Sequence, residues 1–129
     1  MGNNHICVCI CTYKREHLLE RLLIKLFSQK TDGLFTYSVL VVDNDCEFSA
    51  KKLVNKISKN SQMSIEYLPE PVRSIPLARN RAVRNASGDL LAFIDDDEFP
   101  ADDWLLNLYE AFNRFRADGI LGPVHPHLE

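Results

Sequence analysis

The sequence predicts an α/β fold: a mostly parallel sheet with helices on both faces. Three observations carry that expectation. Apolar, β-branched runs alternate with segments of helical periodicity from one end of the chain to the other. Alternation of this kind builds a parallel sheet through right-handed crossovers. The first run, "ICVCIC" (6–11), is apolar at every position, as a strand covered on both faces must be. Finally, polar residues follow directly on three of the runs, and open α/β sheets bind their ligands beyond the carboxyl ends of the strands.

The elements follow in order. After "ICVCIC" and the polar break "TYKREH", Leu18, Leu19, Leu22, Leu23, Leu26 and Phe27 recur at helical spacing, predicting a helix over 16–29. "KTDG" is a turn. "YSVLVVD" (37–43) is a strand that ends in an acid. Residues 48–59 put Phe48, Leu53, Val54 and Ile57 on one helix face, and "MSIEYL" (63–68) is a short strand closed by "PEP". In "IPLARNRAVRNASG" (75–88), Pro76 stands near a helix start and Gly88 just past its end, the usual placement of the two residues. "LLAFID" (90–95) reads as a third long buried strand. "DDWLLNLYEAFNRF" (102–115) is a helix with Asp102 and Asp103 at the end where the helix dipole favours negative charge, and an apolar face of Trp104, Leu105, Leu108 and Phe112. "GILGPV" (119–124) is expected as the last strand.

Composition bounds the rest. The chain has 129 residues, 46% of them apolar, enough for one domain with a real core. A net charge of −3 gives no nucleic-acid-binding tail and no polybasic membrane segment. No apolar run approaches the ~20 residues that span a bilayer. "MGNNHICVCI" lacks the basic region and cleavage site of a signal peptide, and Ile6 stands where myristoylation of Gly2 would want Ser or Thr. Cys7, Cys9 and Cys11 alternate, so in a strand they share one face. Same-face neighbours there lie roughly 6.5–7 Å apart with parallel side chains, at the edge of disulfide reach. With Cys46 they form no CxxC pair, so they read as small buried hydrophobes of a reducing compartment.

"LLAFIDDDEFP" (90–100) carries the chemistry. Four consecutive acids, Asp95, Asp96, Asp97 and Glu98, end a hydrophobic run. Each makes its neighbours harder to ionise. Asp95 and Asp97 are two apart and share a side in extended backbone. Two converging hard oxygen ligands suit Mg²⁺ or Mn²⁺, above all where phosphate fills the remaining positions. The plainer alternative is a solvated acidic loop, or a cap for the helix near Asp102. Asp43 and Asp45 could likewise begin a turn or cap the helix from Phe48. Asp43, the first residue past "VLVV", is the better functional candidate.

Three segments together resemble family-2 glycosyltransferases: "VCICTYKREHLLERLLIKLFSQ", "VLVVDND" and, most specifically, "IPLARNRAVRNASGDLLAFIDDDEFPADDWL". The resemblance covers almost the whole chain. It implies the Rossmann-like GT-A nucleotide-sugar-binding fold, truncated, with residues 1–129 as one partial domain; the terminal "HPHLE" (125–129) reads separately as an unstructured or cloning-derived tail. It implies a nucleotide-sugar donor, with a UDP-sugar first, and a saccharide, lipid or protein acceptor. Asp43 would contact the uracil or ribose, Thr12, Tyr13 and Arg15 would line the base pocket, and Arg79 would reach the nucleotide or its phosphates. Asp95 would meet the ribose or a metal-bound water, and Asp97 would ligate Mn²⁺ or Mg²⁺. Tyr13 as core, and Arg79 as a surface arginine packing its stem on the sheet, remain open alternatives. Arg81 and Arg84 are read as solvent or ion-pair residues.

Two positions depart from the family pattern. Lys14 replaces the usual Asn, and Ser74–Ile75 replace a glycine-rich approach to the third helix. Inverting transfer also needs a general base, which in this family comes from the later half of the domain. Glu98 and Asp102 follow the metal residues too closely to serve. The chain is therefore expected to be the donor-binding part of a longer enzyme, without its own base. It is further expected to be cytoplasmic or peripheral at the inner membrane face, and to self-associate through its truncated edge. Two rivals are a non-catalytic nucleotide-binding module and a phospho-accepting receiver domain. The receiver would need an acidic pair after the first strand, where this chain has "TYKRE".

Overall fold

The structure is a computed structural model that describes residues 4–115. Its elements are β1 (Asn4–Thr12), α1 (Glu16–Leu26), β2 (Phe35–Asp43), α2 (Lys51–Lys59), β3 (Ile65–Pro69), α3 (Ile75–Asn85), β4 (Leu90–Phe93) and α4 (Trp104–Phe115). All pairings are parallel, in the spatial order β3-β2-β1-β4. The chain steps outward from β1 to β3, then returns to the far side of β1. The strand order therefore reverses between β1 and β4, the kind of position where α/β sheets open a binding crevice.

Side-chain alternation along β1 divides the core. Ile6, Val8 and Ile10 join Val39, Val41, Ala92 and Ile94 in the larger cluster, packed by Leu19, Leu22, Leu23 and Leu26 of α1, Val54 and Ile57 of α2, and Leu105 and Leu106 of α4. Cys7, Cys9 and Cys11 face the other way, as expected, with Leu40 and Val42 against Ala78 and Ala82 of α3. Small residues on both sides bring α3 close to the sheet. The cysteines are free thiols; a hydrogen bond with Cys7, then burial, push the Cys9 thiol up, and burial pushes that of Cys11 up, away from the reactive thiolate. Among the described residues no helix is long and apolar enough to cross a membrane.

Several expected boundaries shift for identifiable reasons. The first helix stops at Leu26, because Gln29 has another task. Its Nε2 donates to Ala101 O at 2.7 Å, and its Oε1 accepts from Leu105 N at 3.0 Å, capping the start of α4. The second helix begins at Lys51, not 48. Phe48 has φ 58° and is exposed rather than on an apolar helix face. The run at 90–95 is not a long buried strand. β4 is four residues long and forms an edge among the described residues, with Leu91 and Phe93 exposed on the α3 side. The strand expected at 119–124 and the tail at 125–129 lie outside the described residues.

Gly88 sets the entry into β4. Its φ is +105°, and an added Cβ would stand 2.7 Å from His5 O, the oxygen that accepts from Asp89 N at 2.8 Å. Backbone strain and a clash with a fixed sheet oxygen act together there. Gly88→Ala is therefore expected to lower the free energy of unfolding by about 3 kcal/mol, read from urea denaturation.

The segment after the acidic turn is tied to α1 by Lys25 Nζ, 2.7 Å from Asp102 Oδ1. The adjacent ammonium holds the Asp102 carboxyl below the usual carboxylate range. A depressed folded-state value stabilises above the unfolded value, near ~4, and the contribution is lost as pH falls through the folded value. Lys25→Met should lower the urea midpoint at neutral pH, with the difference from wild type vanishing in strong acid.

Candidate active site

At the carboxyl edge of the sheet, above the ends of the paired strands β1 and β4, lies an open cavity of about 660 Å³. Cys11, Thr12, Tyr13 and Arg15 line it from the end of β1, and Phe93 through Asp97 line it from the end of β4. Asn44 follows β2, and Arg73, Ser74, Ile75, Ala78 and Arg79 form the wall at the start of α3. Expected site residues Thr12, Tyr13, Arg15, Arg79, Asp95 and Asp97 all reach this cavity; Asp43 does not.

Strand parity explains the difference. Val39, Val41 and Asp43 point to the α1–α2 side of the sheet, so Asp43 is fully buried beneath the start of α2. Its Oδ1 accepts from Asp45 N at 3.1 Å. Its Oδ2 accepts from Ala50 N at 3.0 Å and from the Tyr67 hydroxyl at 2.7 Å. That is the turn-and-cap role weighed for it in the sequence. Burial, then the Asp43 carboxylate, push the Tyr67 phenol up. Asp45 serves the same turn through Oδ1, which accepts from Glu47 N at 3.1 Å.

Asn44 takes the opposite parity and faces the cavity wall. Its Nδ2 donates to Glu70 O at 2.9 Å and Val72 O at 2.8 Å, and its Oδ1 accepts from Ser74 N at 3.0 Å. One buried amide thus fixes the whole β3–α3 loop. The loop presents Arg73, whose guanidinium lies 4.0 Å from the centroid of the Tyr13 ring, a cation–π contact. Arg81 ion-pairs with buried Glu70 at 3.3 Å, within the role expected of it. Neither Asn44 nor Arg73 stood out in the sequence. Asn44 could have been found by parity from the run "VLVV"; Arg73 had no such signal.

The acidic turn is also sorted by parity. Asp95 and Asp97 are exposed, while Asp96 is buried between them. Asp96 Oδ2 accepts from Thr12 Oγ1 at 2.9 Å, and its Oδ1 lies 3.3 Å from Arg15 Nη1. Burial raises its carboxyl above the usual range, and Thr12 and Arg15 oppose that shift. Glu98 Oε1 accepts from Asp95 N at 3.1 Å and closes the turn. Thr12 therefore acts on the cavity through Asp96.

A family model described as glycosyl transferase family 2 matches residues 7–128. The chain belongs to that family. It is 39% identical over 123 residues to the succinoglycan biosynthesis protein ExoM of Rhizobium meliloti (strain 1021), covering 95% of this chain and 40% of that protein. It is 29% identical over 116 residues to ExoW of the same organism, covering 88% of this chain and 35% of that protein. The chain thus spans two fifths or less of the length of these relatives.

Solved glycosyltransferases share the fold. A mannosyltransferase from Pyrobaculum calidifontis in complex with GDP-Man and Mn²⁺ superposes with a TM-score of 0.75 at 24% identity, over 86% of this chain and 33% of that one. TarS 1–349 of S. aureus in complex with UDP-GlcNAc does so with 0.70 at 21% identity, over 95% and 37%. Family membership removes the receiver-domain alternative.

Both departures from the family pattern now have a physical account. Lys14 has φ 51°, left-handed backbone in which Asn is favoured over most side chains. Ser74 has φ −159°, ordinary extended backbone, and its Oγ accepts from Leu77 N at 3.3 Å as the cap of α3. Glycine would forgo that cap.

Asp43→Ala is expected to cost about 2–4 kcal/mol of stability, because it orphans buried donors, and Tyr67→Phe about 1 kcal/mol. Urea denaturation measures both. Unchanged stability with weakened UDP binding would instead put Asp43 on the donor.

Proposed function

We propose that this chain is the donor-binding part of an inverting glycosyltransferase that takes a nucleoside diphosphate sugar, a UDP-sugar first, with Mn²⁺ or Mg²⁺ at Asp95 and Asp97. One observation carries the reading: the cavity sets two exposed carboxylates across from Arg73, Arg79 and the start of α3. Acids suited to a cation thus face cations suited to a diphosphate. The N-terminus of α3 adds its positive dipole end on the same side.

The donor set fits such a metal. The Asp95 carboxylate accepts no hydrogen bond among the described residues, and Asp97 meets only Arg15. Among the described residues no group of three or more His, Cys, Asp or Glu side chains could hold a metal. Two carboxylates leave the rest of an octahedral shell to phosphate and water. A bound divalent cation would neutralise charge on the departing diphosphate.

This chain's own residues bind and orient. Tyr13 lines the cavity with the Arg73 guanidinium over its ring and Lys14 Nζ 5.5 Å from the ring centroid, and the nucleotide base would stack against this group. Arg79 is exposed on the first turns of α3 and reaches for phosphate. Asp43 and Asn44 hold the two loops that frame the cavity. Among the described residues, the carboxylates lining the cavity all come from the 95–97 turn. A base that takes the proton of the acceptor hydroxyl, as that hydroxyl attacks from the face opposite the diphosphate, would come from outside this turn. Residues 1–129 then bind donor without transferring its sugar.

The relatives named for succinoglycan biosynthesis support a saccharide acceptor ahead of a lipid or protein. The net charge of −3 supports no nucleic-acid partner. We place the longer protein in the cytoplasm, peripheral to the inner membrane face. Exposed Leu91 and Phe93 on β4 support self-association of the 129-residue chain.

The test is calorimetric titration of UDP with and without Mn²⁺, together with a radiolabelled UDP-sugar assay against saccharide acceptors. Asp97→Asn should weaken metal-dependent UDP binding by about 1.5–3 kcal/mol, the range for bonds to a charged group. Equal binding by the variant sinks the metal assignment. Robust transfer by the 129-residue chain sinks the missing-base reading.

A further inference from the structure

Four acids in a row need a counter-charge even before any ligand arrives. The structure supplies one. Arg15 Nη1 stands 3.3 Å from Asp96 Oδ1 and 3.5 Å from Asp97 Oδ2, so one nitrogen is shared by two carboxylates. Arg15 is the N-cap residue of α1, and no side-chain cap bond engages it there.

The two contacts differ in kind. Asp96 is 8% exposed, and its other oxygen is taken by Thr12 Oγ1 at 2.9 Å. Asp97 and Arg15 are 53% and 51% exposed, and their contact is at the long limit of a hydrogen bond. A long, half-solvated ion pair is held weakly. The Asp97 end of the fork is therefore the end that opens. The Asp96 end remains as a tether.

We propose that Arg15 is the resident counter-ion of the acidic turn, and that a divalent cation displaces it from Asp97. The proposal rests on the metal reading given above. Both positive groups compete for the same carboxylate, and their mutual repulsion at close range weakens the long Arg15 contact when the cation binds. Once displaced, Arg15 stays tied to Asp96 within the cavity wall. Its free donors then turn to the donor diphosphate, whose oxygens suit a guanidinium fork. Arg15 is in this account a positioning residue with opposite effects on the two ligands. It opposes the metal alone and supports the metal with nucleotide.

Arg79 is the natural control, since it lines the same cavity and has no carboxylate contact among the described residues. Free Mn²⁺ is measured by electron paramagnetic resonance during titration of wild type, Arg15→Ala, Arg15→Gln and Arg79→Ala, without and with UDP. Thermal unfolding confirms that each variant is folded. Without UDP, both Arg15 variants should bind Mn²⁺ about three- to ten-fold tighter than wild type, as expected for removing a close like charge. Arg79→Ala should shift it less than about two-fold. With UDP, the Arg15 variants should bind UDP–Mn²⁺ more weakly than wild type. A purely structural role would weaken both. Mn²⁺ affinity without UDP that is unchanged, reduced or undetectable in the Arg15 variants overturns the counter-ion role while leaving the metal site standing, provided Mn²⁺ binds with UDP. An equal gain in Arg79→Ala overturns it too, by reducing it to general charge. Absence of Mn²⁺ binding in every sample, UDP present or not, overturns this proposal and the metal reading together.

Discussion

Pairing of β1 on both edges, with β2 and with β4 in parallel, is the constraint from which the rest of the molecule follows. A strand hydrogen-bonded on both sides cannot slip by one residue without turning its entire apolar set inside out. That lock fixes which residues see α1, α2 and α4 and which see α3. It also brings the ends of β1, β2 and β4 to one edge, where Thr12 stands opposite Asp43 and the acidic turn follows Phe93.

Much of the polar chemistry at that edge is spent on holding the edge together. Asp43 ties the β2 turn to the start of α2, Asn44 ties the end of β2 to the β3–α3 loop, and Asp96 ties the acidic turn to Thr12 and Arg15. Each of these side chains is buried, and a buried polar group left unpaired costs more than a made bond returns. The loops are consequently fixed in place, which suits a site that must meet a flexible diphosphate. The exposed groups, Asp95, Asp97, Arg73 and Arg79, have few or no partners among the described residues. On the acidic turn, the group framing the site, Asp96, and the groups free to bind, Asp95 and Asp97, are thus separated by a single-residue step.

The α3 side differs from the other face of the sheet. Among the described residues, three helices cover the larger cluster, whereas α3 alone covers the cysteines and packs on β1 and β2 through Ala78 and Ala82. Leu91 and Phe93 on β4 stay exposed on that side. Small side chains at positions 7, 9 and 11 are what let a helix approach so closely that its N-terminus overhangs the strand ends.

The sequence by itself determined the α/β class, the element order, the location of the site at the strand ends and the family. These depend on periodicity, on polar residues placed after apolar runs and on a long motif, all of them local. It also held the alternation that puts Asp95 and Asp97 on one side, because period two survives the end of a strand. Only the tertiary structure decided which side of the sheet carries the cavity, and therefore that Asp43 is a structural carboxylate while Asn44 and Arg73 frame the site. Parity gives two faces without saying which is covered; that depends on where helices far along the chain come to rest. The same holds for β4. Its apolar sequence reads as buried, but exposure is set by the neighbours a strand acquires, and "LLAF" acquires one strand on one edge among the described residues.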